Sequence, residues 1–212
     1  MSENKQKFSA IDGGELTTAR LETLTDGIFA IAMTILVLNI RLPDLAGSPT
    51  AGDLFSNLTG LWPTLASFII SFIVLAMFWV AHHTEFRYIK KLDNKLIWLN
   101  MFYLLLVALL PFSAALLGRY PQNQTSAVIY ALHLIFMVLL QYFMWQHARK
   151  KNNLMADDVH PNMDKLVNRV AFAGIIAYLI AIGLSFWNVN IALMIYAIVP
   201  LPYIFGWIYY LA

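Results

Sequence analysis

Six long apolar blocks, at about 20–40, 60–84, 95–118, 125–147, 166–187 and 190–211, constrain this chain more than anything else in it. A helix rises about 1.5 Å per residue, so roughly 20 residues cross the hydrocarbon core of a bilayer. The blocks therefore predict an all-α integral membrane protein with six transmembrane helices over residues 19–212, behind a polar tail at 1–18. The overall make-up agrees: 60% of residues are hydrophobic and 12% charged, whereas soluble domains run near half apolar and a quarter charged. No cysteine is present, which excludes disulfides and thiolate metal sites. A net charge of +2 is too small to suggest a nucleic-acid partner. The first residues lack the short apolar core and cleavage site of a secretory signal and read as a soluble tail.

Basic residues give the direction of the crossings. With the N-terminus in the cytoplasm, the inner segments hold Lys5, Lys7, Arg20, Arg87, Lys90, Lys91, Lys95, Arg149, Lys150, Lys151, Lys165 and Arg169. Only Arg41 and Arg119 fall outside, so the 14 basic residues split 12 to 2. Six crossings return the C-terminus to the cytoplasm, and the expected location is the cell (inner) membrane, multi-pass. Pro63 falls near a helix start, where its missing N–H costs little. Pro111 lies inside the third block and is expected to kink it. Residues 187–190 make the tight link between the last two blocks.

The first block carries two kinds of face. At 100° per residue, Arg20, Leu24, Gly27, Ile31, Thr34, Ile35 and Leu38 share one stripe. Asp26 lies about 120–140° from that stripe's centre. Helical side-chain pairs meet at spacings of three or four, so Arg20 is badly placed to neutralise Asp26, and the carboxylate must find a partner on another helix. The topology puts the inner ends of the second and third helices at its depth. These carry Trp79, His82, His83 and Asn100, whose indole, imidazole and amide groups can donate to a carboxylate. With Arg20 and Thr25 they form the expected structural polar network. Its simplest role is to hold three helices together and set the rotation of the first.

The run Arg20-Leu-Glu-Thr-Leu24-Thr25-Asp26, followed by an alanine- and isoleucine-rich helix that ends near Pro43, resembles the signature of the transmembrane protein 175 family of lysosomal potassium channel-like proteins. The family pattern is Arg, three variable residues, then Phe-Ser-Asp. Leu24 replaces the Phe and Thr25 the Ser, both mild changes. The stretch at 78–86 and Asn100 also fit, and the six-helix layout covers nearly the whole chain. The resemblance implies that the first helix lines a pore. A single copy of the motif implies the prokaryotic kind of member, a homotetramer. By position, Ile31 falls on the family's narrow isoleucine ring, with Thr34, Ile35 and Leu38 on the next pore-facing positions outward.

The expected function is then a potassium-permeable cation channel, leak-like and modestly selective for potassium over sodium, and not an enzyme. No cofactor is expected beyond the permeant potassium ion, and the partners are other copies, the lipid bilayer and monovalent cations. Rings of Ile31, Ile35 and Leu38 would form an apolar constriction and gate by dewetting. Thr34 would supply the side-chain oxygen for ion coordination. The chain has no TVGYG filter and no helix with an arginine at every third position, so neither carbonyl-loop selectivity nor the usual voltage sensing is expected. Glu22, Asp12 and Glu15 are candidates to enrich cations at the inner mouth, although a solvated tail explains them as well. A secondary transporter or proton-coupled membrane protein using the inner Asp/His cluster is the competing reading. No charged residue sits at midplane to support it. His133 raises a proton relay or haem ligand, and Gln141 an interhelical hydrogen bond.

Overall fold

The computed structural model describes residues 17–42, 47, 50–151 and 153–205. It is helical throughout these residues: α1 Thr18–Ile35, a 3-10 turn Leu36–Asn39, α2 Ala51–Gly60, α3 Trp62–Phe86, α4 Asn94–Arg119, α5 Gln124–Lys150, α6 Met163–Ser185, α7 Val189–Ile198 and α8 Leu201–Ile204. Five spans are long and apolar enough to cross a membrane: Thr18–Asn39, α3, α4, α5 and α6. Their ends match the expected blocks to within a few residues. Most of the tail at 1–18, with Asp12 and Glu15, lies outside the described residues.

Two expectations need correction. The block at 190–211 is not one continuous helix. It breaks after Ile198, and α8 begins behind Pro200 with Pro202 in its first turn. Neither proline has an N–H to give to the carbonyl four residues earlier. Residues 206–211 lie outside the described residues. The second concerns α2, a helix that none of the six expected blocks covers. Thr50 accepts from the N–H of Asp53 at 3.2 Å while the Asp53 carboxylate accepts from the N–H of Thr50 at 3.0 Å. This reciprocal capping nucleates a helix none of whose residues is buried.

Half of the apolar window of α4 is buried, the largest share of any span, so α4 is the centre of the bundle. It packs against α1, α3 and α5, while α6 lies against α5 and α7. Near the Arg119 end of α4 the approach is close. A Cβ added to Gly118 would lie 3.1 Å from the Ser67 Cβ and 3.2 Å from the Thr64 Cα on α3. The Ser67 hydroxyl donates to the Ala114 carbonyl at 2.7 Å across the same contact.

Pro111 sits inside α4 and leaves the Val107 carbonyl without its usual donor. His133 on α5 serves this stretch. Its Nε2 lies 2.9 Å from the Leu106 carbonyl and its Nδ1 2.9 Å from the Ser113 hydroxyl. A carbonyl only accepts, so Nε2 carries a proton, while the Ser113 hydroxyl has both Nδ1 and the Leu110 carbonyl, at 3.0 Å, within reach. Both ring nitrogens of His133 are thus engaged in the contact between α4 and α5. The Asn39 side chain donates to the Pro111 carbonyl at 3.1 Å and ties down the end of the 3-10 turn.

At the other end of the bundle the connections 87–93 and 151–162 meet. The N–H groups of Lys90 and Lys91 donate to the Leu154 carbonyl, and that of Ala156 to the Tyr88 carbonyl. Asp93 caps α4 through the Leu96 N–H at 2.8 Å and pairs with His147 and Lys151, each at 2.9 Å. Asp164 pairs with Arg149 at 2.7 Å and accepts from the Trp145 indole at 2.9 Å. This end therefore gathers Arg87, Lys90, Lys91, Lys95, Arg149, Lys150, Lys151, Lys165 and Arg169, which the sequence assigned to one side.

Two outcomes are expected. Gly118→Val, which overfills the α3–α4 contact, lowers the melting temperature of the solubilised protein, by an amount corresponding to about 1–3 kcal/mol. Burial pushes the Asp93 carboxyl up, but Lys151, the Leu96 N–H and His147 outweigh it and hold it well below the usual carboxylate range. A depressed folded pKa stabilises above the unfolded value of about 3.9 and is lost as pH falls through the folded one. Asp93→Asn therefore lowers the melting temperature at pH 7, and its difference from the parent shrinks below about pH 4.

Candidate functional site

Helix α1 is held on one face and open on another. Leu21, Thr25, Phe29, Ala32 and Leu36 are buried at the three- and four-residue spacing of a helical stripe. Thr25 and Asp26 are adjacent in sequence, so their side chains point about 100° apart and meet different neighbours. The Trp79 indole on α3 donates to the Asp26 carboxylate at 2.8 Å. Inside the bundle, the Asn100 amide on α4 donates to the Thr25 hydroxyl at 3.3 Å. The Asn100 oxygen in turn lies 2.9 Å from the His82 Nε2, and since that oxygen only accepts, Nε2 is the protonated nitrogen. Thr25 passes its own hydrogen to the Leu21 carbonyl at 2.9 Å.

The polar residues singled out from sequence thus divide into two branches. Asp26 with Trp79 makes an exposed one. Thr25, Asn100 and His82 make a buried one, with Asn100 fully buried and His82 2% exposed. Neither histidine bonds to Asp26: His82 stacks on Phe86 and Tyr103, and His83 stacks on Trp79 with ring centres 5.8 Å apart. Arg20 is exposed at the start of α1 and joins neither branch; its backbone N–H is taken by the capping Thr17.

On the open face Ile31 is 59% exposed, Ile35 42% and Leu38 69%. The expected stripe assumed an α-helix to residue 40, yet from Leu36 the chain tightens to 3-10 geometry. Residues three apart eclipse in a 3-10 helix, so Leu38 lines up above Ile35. Thr34 is exposed between them, and its hydroxyl hydrogen points back to the carbonyls of Ala30 and Ile31 at 3.0 and 2.9 Å. The oxygen lone pairs are left facing away from the helix.

A third polar chain was not recognised in the sequence. Tyr103 donates to the Gln141 oxygen at 3.2 Å, and the Gln141 amide donates to Glu85 at 3.2 Å. Gln141 does make the interhelical bond expected of it. Glu85, however, is a carboxylate only 8% exposed. Its phase was legible: Ser67, Ser71, Val74, Phe78, His82 and Glu85 recur at three- and four-residue spacing along the buried stripe of α3.

The family model of the endosomal/lysosomal potassium channel TMEM175 matches residues 20–111. A potassium channel of Streptomyces collinus is 31% identical over 194 residues, which cover 89% of this chain and 92% of the relative. The chain belongs to the TMEM175 family. A second TMEM175-like relative, a potassium channel of Chamaesiphon minutus, is 36% identical over 177 residues, 81% of this chain and 86% of that protein. The crystal structure of a lysosomal potassium-selective channel TMEM175 homolog from Chamaesiphon minutus superposes with a TM-score of 0.77 at 31% identity, over 89% of this chain and 97% of that one. The TMEM175 segment runs from Arg20 to Pro111 and contains every member of the two branches that hold α1.

The branches differ in what their loss does. Asn100→Leu strands the fully buried His82 nitrogen, at a cost of about 1–3 kcal/mol. Trp79→Phe removes one interhelical bond from an exposed carboxylate, worth about 0.6 kcal/mol on average in membranes. Thermal unfolding in detergent should rank Asn100→Leu as the more damaging change; the reverse order would refute the division into buried and exposed branches.

Proposed function

We propose that the chain is a subunit of a homotetrameric channel in a cell membrane, permeable to potassium and other monovalent cations, with α1 of each copy lining a central pore. Six crossings, with both termini in the cytoplasm, place the gathered basic end of the bundle inside. The observation that carries the reading is the open face of α1. Ile31, Thr34, Ile35 and Leu38 stand exposed on a helix whose opposite face is buried against its own bundle and held by two polar branches, with Leu24, Ala30 and Val37 exposed as well. The relatives' description as potassium channels supports it.

Four such faces around an axis stack apolar rings with one ring of hydroxyl oxygens among them. Thr34 lies three residues, about 4.5 Å of rise, beyond Ile31. Among the described residues of this face its lone pairs are the only side-chain oxygens at that level, and they suit a partly dehydrated cation. The apolar rings offer no ligands, so they act as barrier and gate: a narrow apolar ring empties of water, and slight widening refills it. Opening of this kind needs no moving charge, which suits leak-like conduction. Arg20 and Glu22 stand at the inner mouth.

The solubilised particle should have the mass of four chains. In planar bilayers Ile31→Asn keeps assembly and raises conductance severalfold, because a polar ring holds water. Thr34→Val changes the potassium-to-sodium permeability ratio. A particle of one or two chains, or an Ile31→Asn conductance equal to the parent's, would overturn the pore assignment.

A further inference from the structure

Glu85 lines a half-open cavity of about 380 Å³ between α3, α5, α6, α7 and α8. The volume is in the range of small-ligand pockets. Its walls are chiefly apolar and include Ala81, Val138, Gly174, Ala177 and Pro202. None of the lining residues belongs to α1, so the cavity is separate from the face described above.

Its polar groups are few and uneven. The Glu85 carboxylate is buried, with the Gln141 amide as donor to one oxygen. Tyr178 is fully buried and lines the same space, and its hydroxyl has no hydrogen-bond partner among the described residues. Arg169 also contributes to the lining but is exposed. The buried ionisable group of the cavity is therefore an acid that has the Gln141 amide as donor and largely apolar walls beside it. An ionised carboxylate in such surroundings needs a cation or further donors. A ligand that fills apolar space and brings a charged donor satisfies both demands.

We infer that this cavity is a binding site for a lipophilic amine: an aliphatic body lies along the α3, α5 and α6 walls and a protonated amino group pairs with Glu85. A neutral amphiphile of the same length fills the space but leaves the acid without a counter-charge. An aliphatic carboxylate sets like charge against like. The site thus selects by head group and accepts by shape, the usual division of labour in apolar pockets.

The test uses the full chain in lipid nanodiscs and two photoreactive probes, a diazirine-bearing dodecylamine and the matching dodecanol. Labelled peptides are located by mass spectrometry. The amine probe should label segment 163–178, and excess dodecylamine should suppress that labelling far better than dodecanol or dodecanoate. Glu85→Gln keeps an acceptor for Gln141 and should cut amine labelling about tenfold, equivalent to about 1.4 kcal/mol, while sparing dodecanol labelling. Ala177→Phe fills the cavity and should reduce both. Amine labelling unchanged in Glu85→Gln overturns the proposal, leaving Glu85 a member of the Tyr103–Gln141 chain alone. Equal competition by dodecanol overturns it too, by making the cavity an unselective lipid site, and stronger competition by dodecanoate would reassign the head group to Arg169.

Discussion

Two neighbouring side chains, Thr25 and Asp26, decide how the first helix is turned. In lipid, apolar contact alone does little to fix a helix's rotation, because a rolled helix exchanges side-chain neighbours for acyl chains of similar polarity. Directional bonds behave differently. Thr25 is engaged from inside the bundle by Asn100, and Asp26 from the side by Trp79, about 100° around the axis. A roll in either direction breaks one or both. Each bond is small by itself in a membrane, but the buried branch also protects Asn100 and His82 from being left unpaired, which costs more than the bonds contribute. The orientation of Ile31, Thr34, Ile35 and Leu38 follows from that pair of anchors.

The anchors belong to a longer polar and aromatic interior. Tyr103 stands where its parts meet. Its ring faces Phe29 of α1 and stacks against His82 at 5.6 Å, and its hydroxyl reaches Gln141 and so Glu85. One side of α4 thus holds the helix with the open face, and the other supports the wall of the cavity. Membrane interiors tolerate such groups when each finds a partner in the protein. Here the partners form an unbroken series from α1 to α5.

Much of this was legible in the sequence. The apolar blocks were read as six crossings, and five of them are spans with ends nearly in place, because a bilayer sets one length scale for every crossing. Of the partners expected for Asp26, Trp79 was legible from charge and depth, whereas Asn100 and His82 join Thr25 instead and Arg20 and His83 join neither branch. What escaped depended on local chemistry that a hydropathy window averages away. The spacing of Thr50 and Asp53 signalled a cap, yet a short exposed helix leaves no apolar block. Pro200 and Pro202 lie inside a block whose hydropathy hides them. Glu85 was in phase with a buried stripe, but its charge argued for the surface. The 3-10 turn at Leu36–Asn39 could not be read from composition, since its end is fastened by a distant carbonyl, that of Pro111.

The break between α7 and α8 has a mechanical consequence. Ile198, Val199, Pro202 and Tyr203 form one side of the cavity, so that side hangs from a joint where two prolines donate nothing to the backbone ladder. The other sides are built on helices of 23 to 27 residues. The cavity is therefore stiff on three flanks and compliant on the fourth, and any change in its volume should be taken up by α8, since α7 is held to α5 by the Tyr196 hydroxyl on the Ala127 carbonyl at 2.9 Å.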